Sequence, residues 1–334
     1  MDYRYPKIMH SRRILLNLLA DGKWHSGEEL ATQLSISRSA VWKQLTQLKE
    51  RYGLTIHAVR GRGYRLPEPL ELLDQQLITE LLTPESRAKV SNIEILDSIA
   101  STNSYLMDRL SESLGSGHVC MAERQTEGRG RRGRQWVSPF GHNIYFSLLL
   151  RFSMAPAELS GISLVAGLAV VRTLEQLGVK GVGLKWPNDI LHQGRKLAGL
   201  LLEVAGEQSG PSSVVIGIGL NVSLSSIEAE NIEQPWVDLK SLAGGKSLSR
   251  NQIAAGLIGN LFDIMEQFES QGLTSLIDLW RSYDLYDGEA IQLQFGNRFI
   301  AGIHRGIDET GALLVESDEG IKAYHGGEVS LRLA

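Results

Sequence analysis

The sequence predicts an α+β chain in three parts: a small basic helical unit, a larger body of strands and helices, and a short all-β module. Three observations carry this. Residues 1–66 hold 12 Lys+Arg against 5 Asp+Glu and the remainder 22 against 33, so the net charge of −4 is a +7 unit joined to a −11 body. Five arginines and three glycines crowd residues 124–134, inside a loop that runs from Glu123 to Trp136. From Ala290 onward, apolar residues alternate in short runs separated by Gly- and Asp-containing turns.

Length and composition bound the reading. At 334 residues, 43% hydrophobic and 22% charged, the chain holds two or three domains with a full core and is not disordered. No apolar run approaches the ~20 residues of a membrane span. Leu15–Leu19 is broken by Asn17 and followed by Asp21, so a secretory leader is not expected. Cys120, the only cysteine, sits among Val119, Met121 and Ala122 and reads as a buried strand residue. A cytoplasmic address and no membrane partner are expected. The eight histidines lack metal-ligand spacing, so no metal-binding side chains are assigned, and no Ser/His/Asp arrangement stands out.

In residues 1–66, Ile14, Leu15, Leu18 and Leu19 form a helical stripe over Ser11–Ala20. Ser26-Gly27-Glu28-Glu29 fits a capping box opening a second helix that buries Leu30, Ala31 and Leu34. After the turn Ser35-Ile36-Ser37, a third helix carries Val41, Leu45 and Leu48 inward. Leu54–Val59 reads as a strand, Gly61-Arg62-Gly63 as a turn, and Tyr64-Arg65-Leu66 as its return. This order is that of a winged helix-turn-helix, in which the helix after the turn enters the major groove and a basic wing grips phosphate. Arg38, Ser39, Trp42 and Lys43 are the candidate groove residues, and Arg60 and Arg62 the candidate wing contacts. The alternatives are a protein-interaction module with a solvated basic face and, for Trp42, a place in the core. Pro67-Glu68-Pro69 marks a boundary, and Leu70–Leu82 reads as a joining helix.

In the body, Ile93–Leu96 is a strand, and Ser101-Thr102-Asn103-Ser104 opens a helix with Ser101 as its cap. Free N–H groups there seat a polar ligand or simply end a helix. His118–Ala122 leads into the arginine loop, and Asn143–Arg151 alternates as a strand. Pro156–Leu177 is a long helix with small residues for packing on a sheet. Val182–Trp186, Lys196–Val204 and Val214–Val222 are strands, and Ser249–Gln271 and Ser275–Asp284 are helices. The mixture predicts a mixed sheet with helices on one face.

Gly128-x-Gly130-x-x-Gly133 formally matches a dinucleotide fingerprint, but Ser138-Pro139-Phe140-Gly141 and a strand follow it instead of a helix. There is no Gly-Lys-Ser/Thr phosphate loop, and the loop lies in the acidic body rather than the basic unit. What remains is a flexible loop closing over a small anionic ligand. Lys185-Trp186-Pro187-Asn188-Asp189 places a lysine at a strand end, where it reaches a carboxylate or phosphate or is merely solvated. Gly217-Ile218-Gly219-Leu220-Asn221-Val222 is a further small-residue strand end. In residues 285–334, Ala290–Phe295, Arg298–Ile303, Ala312–Glu316 and Ile321–Tyr324 alternate as strands, with turns at Gly296-Asn297, Asp308–Gly311 and Asp318–Gly320.

Taken together, Ser101-Thr102-Asn103, Gly128 to Gly133, Lys185 to Asp189, Lys196-Leu197-Ala198-Gly199, Arg305-Gly306-Ile307-Asp308 and Gly326-Gly327-Glu328 resemble the bifunctional biotin–protein ligases that also repress the biotin operon. The resemblance covers nearly the whole chain; residues 205–212 and 223–240 fit poorly and read as variable loops. It implies a winged helix over 1–66, a class II synthetase-like ligase domain over 67–284 and an SH3-like barrel over 285–334. It implies that biotin and ATP give biotinyl-5′-AMP and pyrophosphate, with Mg²⁺, and that biotin passes to a lysine of the biotin carboxyl carrier protein of acetyl-CoA carboxylase. Ser101, Thr102, Asn103 and Gln125 would bind the ring and ureido group, with Arg129, Gly130, Arg131 and Lys185 at the carboxyl and phosphate. Lys185, Arg131 and Arg129 would be catalytic. Arg131, Arg132, Trp136, Asn188, Lys196 and Asn221 would bind the nucleotide, with Trp136 stacked on adenine. Biotinyl-AMP would drive a homodimer that binds the biotin operator. A single-function ligase, a lipoate ligase and a ligand sensor without chemistry are the rivals.

Overall fold

The protein is described by a computed structural model covering residues 5–112, 114–225, 228–230, 232–245, 248–295, 298–326 and 329–333. It divides into two compact units, the first comprising residues 1–73 with 139–142, the second residues 74–138 with 143–334.

In the first unit, α1 (Tyr5–Leu19), α2 (Gly27–Leu34) and α3 (Arg38–Tyr52) precede a two-stranded wing, β1 (His57–Val59) and β2 (Gly63–Arg65). The capping box is formed: Ser26 Oγ accepts from Glu29 N at 3.0 Å, and Glu29 Oε2 accepts from Ser26 N at 3.4 Å. Leu15, Leu19, Leu30, Val41, Leu45 and Leu48 close the core, which takes in Phe140, its ring stacked on Tyr52 at 4.6 Å. Gly63, at φ 102°, lets β2 approach the start of α2 so closely that a Cβ would lie 2.0 Å from His25 O. The wing strand is shorter than the expected Leu54–Val59. The unit also continues past Pro67 and Pro69, with Leu70 N bonded to Ala20 O at 2.8 Å.

The second unit opens with α4 (Gln75–Leu81) and α5 (Pro84–Lys89). The expected helix over 70–82 therefore starts late, because Asp74 caps it by accepting from Leu77 N at 2.8 Å. Then come β3 (Asn92–Leu96), α6 (Thr102–Asp108), β4 (His118–Ala122), β5 (Ile144–Phe152), α7 (Ile162–Gln176), β6 (Val182–Lys185), β7 (Asp189–His192), β8 (Arg195–Gly206), β9 (Ser212–Leu220), α8 (Leu239–Leu242), α9 (Arg250–Gln271) and α10 (Ile277–Ser282). The sheet order is β3-β4-β5-β9-β8-β7-β6, with β3 parallel to β4 and the other pairs antiparallel. The mixed sheet is thus as expected, but the helices occupy both faces. Gly167 of α7 lies against Leu184, whereas α6 sets Asn103 over Gly217 on the opposite side of the pleat. The polar start of α6 faces Ser147 and the glycines of β9 rather than an apolar layer.

The chain ends in a five-stranded antiparallel sheet ordered β13-β12-β11-β10-β14: β10 (Ala290–Phe295), β11 (Arg298–Ile307), β12 (Leu313–Ser317), β13 (Gly320–Tyr324) and β14 (Val329–Leu333). This is the SH3-like module, with β14 an additional strand that the alternation did not reveal. Gly296, Asn297, Gly327 and Glu328 lie outside the described residues.

Candidate active site

The register of the central sheet assembles the site. Lys185 pairs with Asp189, Asp189 with Gly199, and Gly199 with Gly219, so four neighbouring strands present one row on the α6 face. The missing side chains of Gly199 and Gly219 leave a shallow floor on which Trp136 lies; a Cβ on Gly219 would stand 2.4 Å from the indole Cε2. A cavity of about 840 Å³ opens there. All thirteen residues that the sequence nominates for biotin, nucleotide or catalysis line it, from Ser101 and Gln125 to Lys196 and Asn221.

One end of the cavity is polar and uncharged. Gln125 Oε1 accepts from Thr102 N at 2.9 Å and Thr102 Oγ1 at 3.2 Å, and its Nε2 donates to Ser138 Oγ at 3.3 Å. Ser147 Oγ lies 2.7 Å from Thr102 Oγ1 and 2.6 Å from Asn103 Oδ1. Ser101 caps α6 through Ser104 N at 3.4 Å.

The other end is cationic. Arg131 is held by Asn188 Oδ1 at 3.0 Å and by the Gly326 carbonyl, and burial lowers its affinity for a proton against the opposing pull of Asp189. Burial likewise pulls the Lys185 ammonium down, Asp189 again opposing, while the ammonium sits 5.8 Å from the centroid of the Tyr286 ring. Lys196 Nζ meets Asp189 Oδ1 at 2.7 Å and stands 5.4 Å from the Trp136 ring centroid. Lys185 ends β6, and Trp186 follows it into a cis Trp186–Pro187 bond, with Trp186 Nε1 donating to Gly311 O at 3.1 Å. In the loop itself, Arg132 takes φ 58° between Arg131 and Gly133.

The cavity also uses residues to which sequence reasoning gave no role. Asp189 is the last residue of the Lys185–Asp189 motif. Trp236 comes from the stretch read as a variable loop, bridged to Lys196 through its backbone, and Tyr286, Leu331 and Arg332 come from the C-terminal portion. Only the glycine spacing on β9 offered a signal for the floor. The six DNA-facing candidates lie elsewhere, in the first unit. Arg38, Ser39, Trp42 and Lys43 are exposed on α3, and Arg60 and Arg62 at the wing tip. Trp42, 61% exposed, is not a core residue.

Comparison with known proteins agrees with this arrangement. Residues 95–221 match the biotin/lipoate A/B protein ligase family, residues 10–65 an HTH domain, and residues 288–332 the biotin protein ligase C-terminal domain. The chain is 43% identical to the bifunctional ligase/repressor BirA of Salmonella typhimurium, over 96% of this chain and 97% of that protein. It is 31% identical to the protein of that name from Bacillus subtilis, over 96% and 98%. A biotin protein ligase from Aquifex aeolicus, solved in complex with biotin and ATP, superposes with a TM-score of 0.63 at 33% identity, over 73% of this chain and 100% of that one. The chain belongs to the biotin protein ligase family, in the branch that carries an N-terminal helix-turn-helix domain.

Proposed function

We propose that this protein activates biotin with ATP, transfers it to a lysine of a biotin carboxyl carrier protein, and represses the biotin operon when biotinyl-AMP accumulates. The observation that carries the catalytic half is a cavity with a neutral hydrogen-bonding end beside a cationic end. A ureido ring fits the first and a carboxylate next to a triphosphate fits the second.

A biotin carboxylate oxygen attacks the α-phosphorus of ATP, the bond to the β-phosphate oxygen breaks, and pyrophosphate leaves. Both reactants are anions, so the residues must neutralise repulsion and the charge that builds at phosphorus. Arg131 and Lys185 stand at that end, Lys185 as a desolvated point charge, and Arg129 and Gly130 close over the carboxyl. Arg132, Trp136, Asn188, Lys196 and Asn221 line the nucleotide end. The carrier lysine amine then attacks the acyl carbon, AMP leaves, and the amine loses a proton. Asp189, paired with Lys196 at 2.7 Å, is the carboxylate at this end that would hold Mg²⁺, which takes one or two protein carboxylates together with substrate phosphates. Bound there, Mg²⁺ would neutralise phosphate charge.

Biotin-dependent exchange of pyrophosphate into ATP tests the ligase. No exchange with biotin present would leave the ligand-sensing alternative, and exchange without biotin would mean that another acid is activated. For repression, biotinyl-AMP promotes a homodimer that sets two α3 helices on a palindromic operator. Sedimentation with and without biotinyl-AMP checks this, and equal self-association in both would sink it. A cytoplasmic address is part of the same proposal, since acceptor carrier and operator DNA are met there.

A further inference from the structure

Glu203, on β8, has no part in the motifs or in the roles given above. Both of its carboxylate oxygens lie 3.0 Å from Arg129 Nη2, and Oε2 also accepts from Asn103 Nδ2 at 2.9 Å. The same Asn103 nitrogen donates to Leu201 O at 2.9 Å. Asn103 is buried, with Oδ1 toward Ser147 and over Gly217, where a Cβ would lie only 2.2 Å from that oxygen.

An asparagine amide has nearly the same shape either way round, so its partners decide which end presents oxygen. An ionised carboxylate only accepts, and the Leu201 carbonyl only accepts. Together they hold the Asn103 nitrogen to β8 and leave its oxygen as the acceptor at the uncharged end of the cavity. The same carboxylate is the counter-ion of the first arginine in the Gly128–Gly133 segment.

We infer that Glu203 is a positioning residue for the biotin subsite: it fixes the sense of the Asn103 amide and anchors Arg129 of the arginine loop, so that one carboxylate orders both the ring end and the lid. This rests on the cavity being the biotin and ATP site.

Glu203→Gln keeps the shape and removes the charge. The expected result is a biotin KM raised roughly tenfold, the value of one charge-assisted contact, and a similarly faster release of biotinyl-AMP. The KM for ATP and kcat stay within about twofold, and the melting temperature is unchanged. Arg129→Gln combined with Glu203→Gln should give less than the product of the two single effects. A role confined to stability would lower the melting temperature and leave the biotin KM alone. The loop arm has a separate reading without substrates: trypsin should cut at the loop arginines several-fold faster in Glu203→Gln. Wild-type biotin KM, intermediate retention and trypsin sensitivity in the variant would overturn the inference. Absence of biotin-dependent exchange in the wild type would instead overturn the functional reading, while the trypsin comparison still decides the loop anchor.

Discussion

Lys185 illustrates what a single residue gains from its place. On a strand end it would be solvated; here it is desolvated and flanked by Asp189 and the Tyr286 ring, so its charge is directed into the cavity instead of being screened by water. Lys185→Ala should lower the rate of biotinyl-AMP formation by about 10²–10³, the usual loss for one preorganised charge contact, measured by single-turnover pyrophosphate release. A second residue-scale device lies outside the chemistry. Asp284 and His304 are fully buried with Oδ2 and Nε2 3.2 Å apart. Burial pushes the Asp284 carboxyl up to about 7, with Asp287 adding to the rise, and pulls the His304 imidazole down. The folded state holds the Asp284 proton more tightly than the unfolded chain, so its stabilising share is complete below pH ~4 and is lost as pH climbs through about 7. His304 acts in the other sense, its share being lost below about 6.5 as the unfolded imidazole protonates. Thermal melts of Asp284→Asn should therefore lose less stability than wild type as pH climbs from about 4 through about 7, the Asp284 share being absent from the variant while the His304 share is common to both.

At the scale of elements, two surfaces depend on close backbone approach. The β8–β9 pair offers glycines at 199 and 219 as a bed for Trp136. Gly219→Ala cannot be absorbed by a central strand, so the indole must leave its bed. The expected outcome is an ATP KM raised about tenfold and a stability loss of about 1–3 kcal/mol, read by exchange kinetics and denaturant unfolding. The wing carries Arg62 and Arg65 with their guanidinium carbons 5.5 and 4.9 Å from the Trp24 ring centroid, which restrains both side chains. Arg62→Ala should weaken operator binding with little change in sequence preference. The slope of log affinity against log salt should fall by about one, as for one lost phosphate contact.

At the scale of the whole chain, Arg250 at the start of α9 binds Glu123 Oε2 at 2.7 Å and Asn143 O at 2.7 Å, both partners almost fully buried. Glu123 begins the arginine loop, and Asn143 follows the 139–142 excursion that joins the first unit. Asn143 Oδ1 in turn accepts from Val222 N at 2.8 Å, where the 223–240 stretch departs. Arg250 therefore ties the start of the arginine loop to Asn143, and Asn143 ties in the start of the 223–240 stretch. Arg250→Met removes the guanidinium from a buried carboxylate and should cost about 3–5 kcal/mol, measured by denaturant unfolding of the full chain. If the loss is below 1 kcal/mol, the pair is not the anchor.

Sequence alone determined most of the elements, but not β7 or β14, and the chemistry's residue types. Helical stripes, the Ser26 capping box, the alternation of β strands and the Gly/Arg loop are local patterns, each written within a dozen residues and obeying local rules of spacing and capping. The same local legibility covers Ser101 as a helix cap and the loop arginines, whereas ligand roles for Thr102, Asn103 and Gln125 came with the family resemblance. It does not cover Glu203, Trp236, Tyr286 or Arg332, because nothing near them in sequence distinguishes them from ordinary strand and loop residues. Only the tertiary structure decided their place: strand register set Gly217 under Asn103 and the Lys185–Asp189–Gly199–Gly219 row across four strands, and chain reversal brought the C-terminal residues to the cavity rim. Register and long-range packing follow from burial summed over the whole sheet, so a partner some 100 residues away, as Glu203 is from Asn103, leaves no mark on either local pattern.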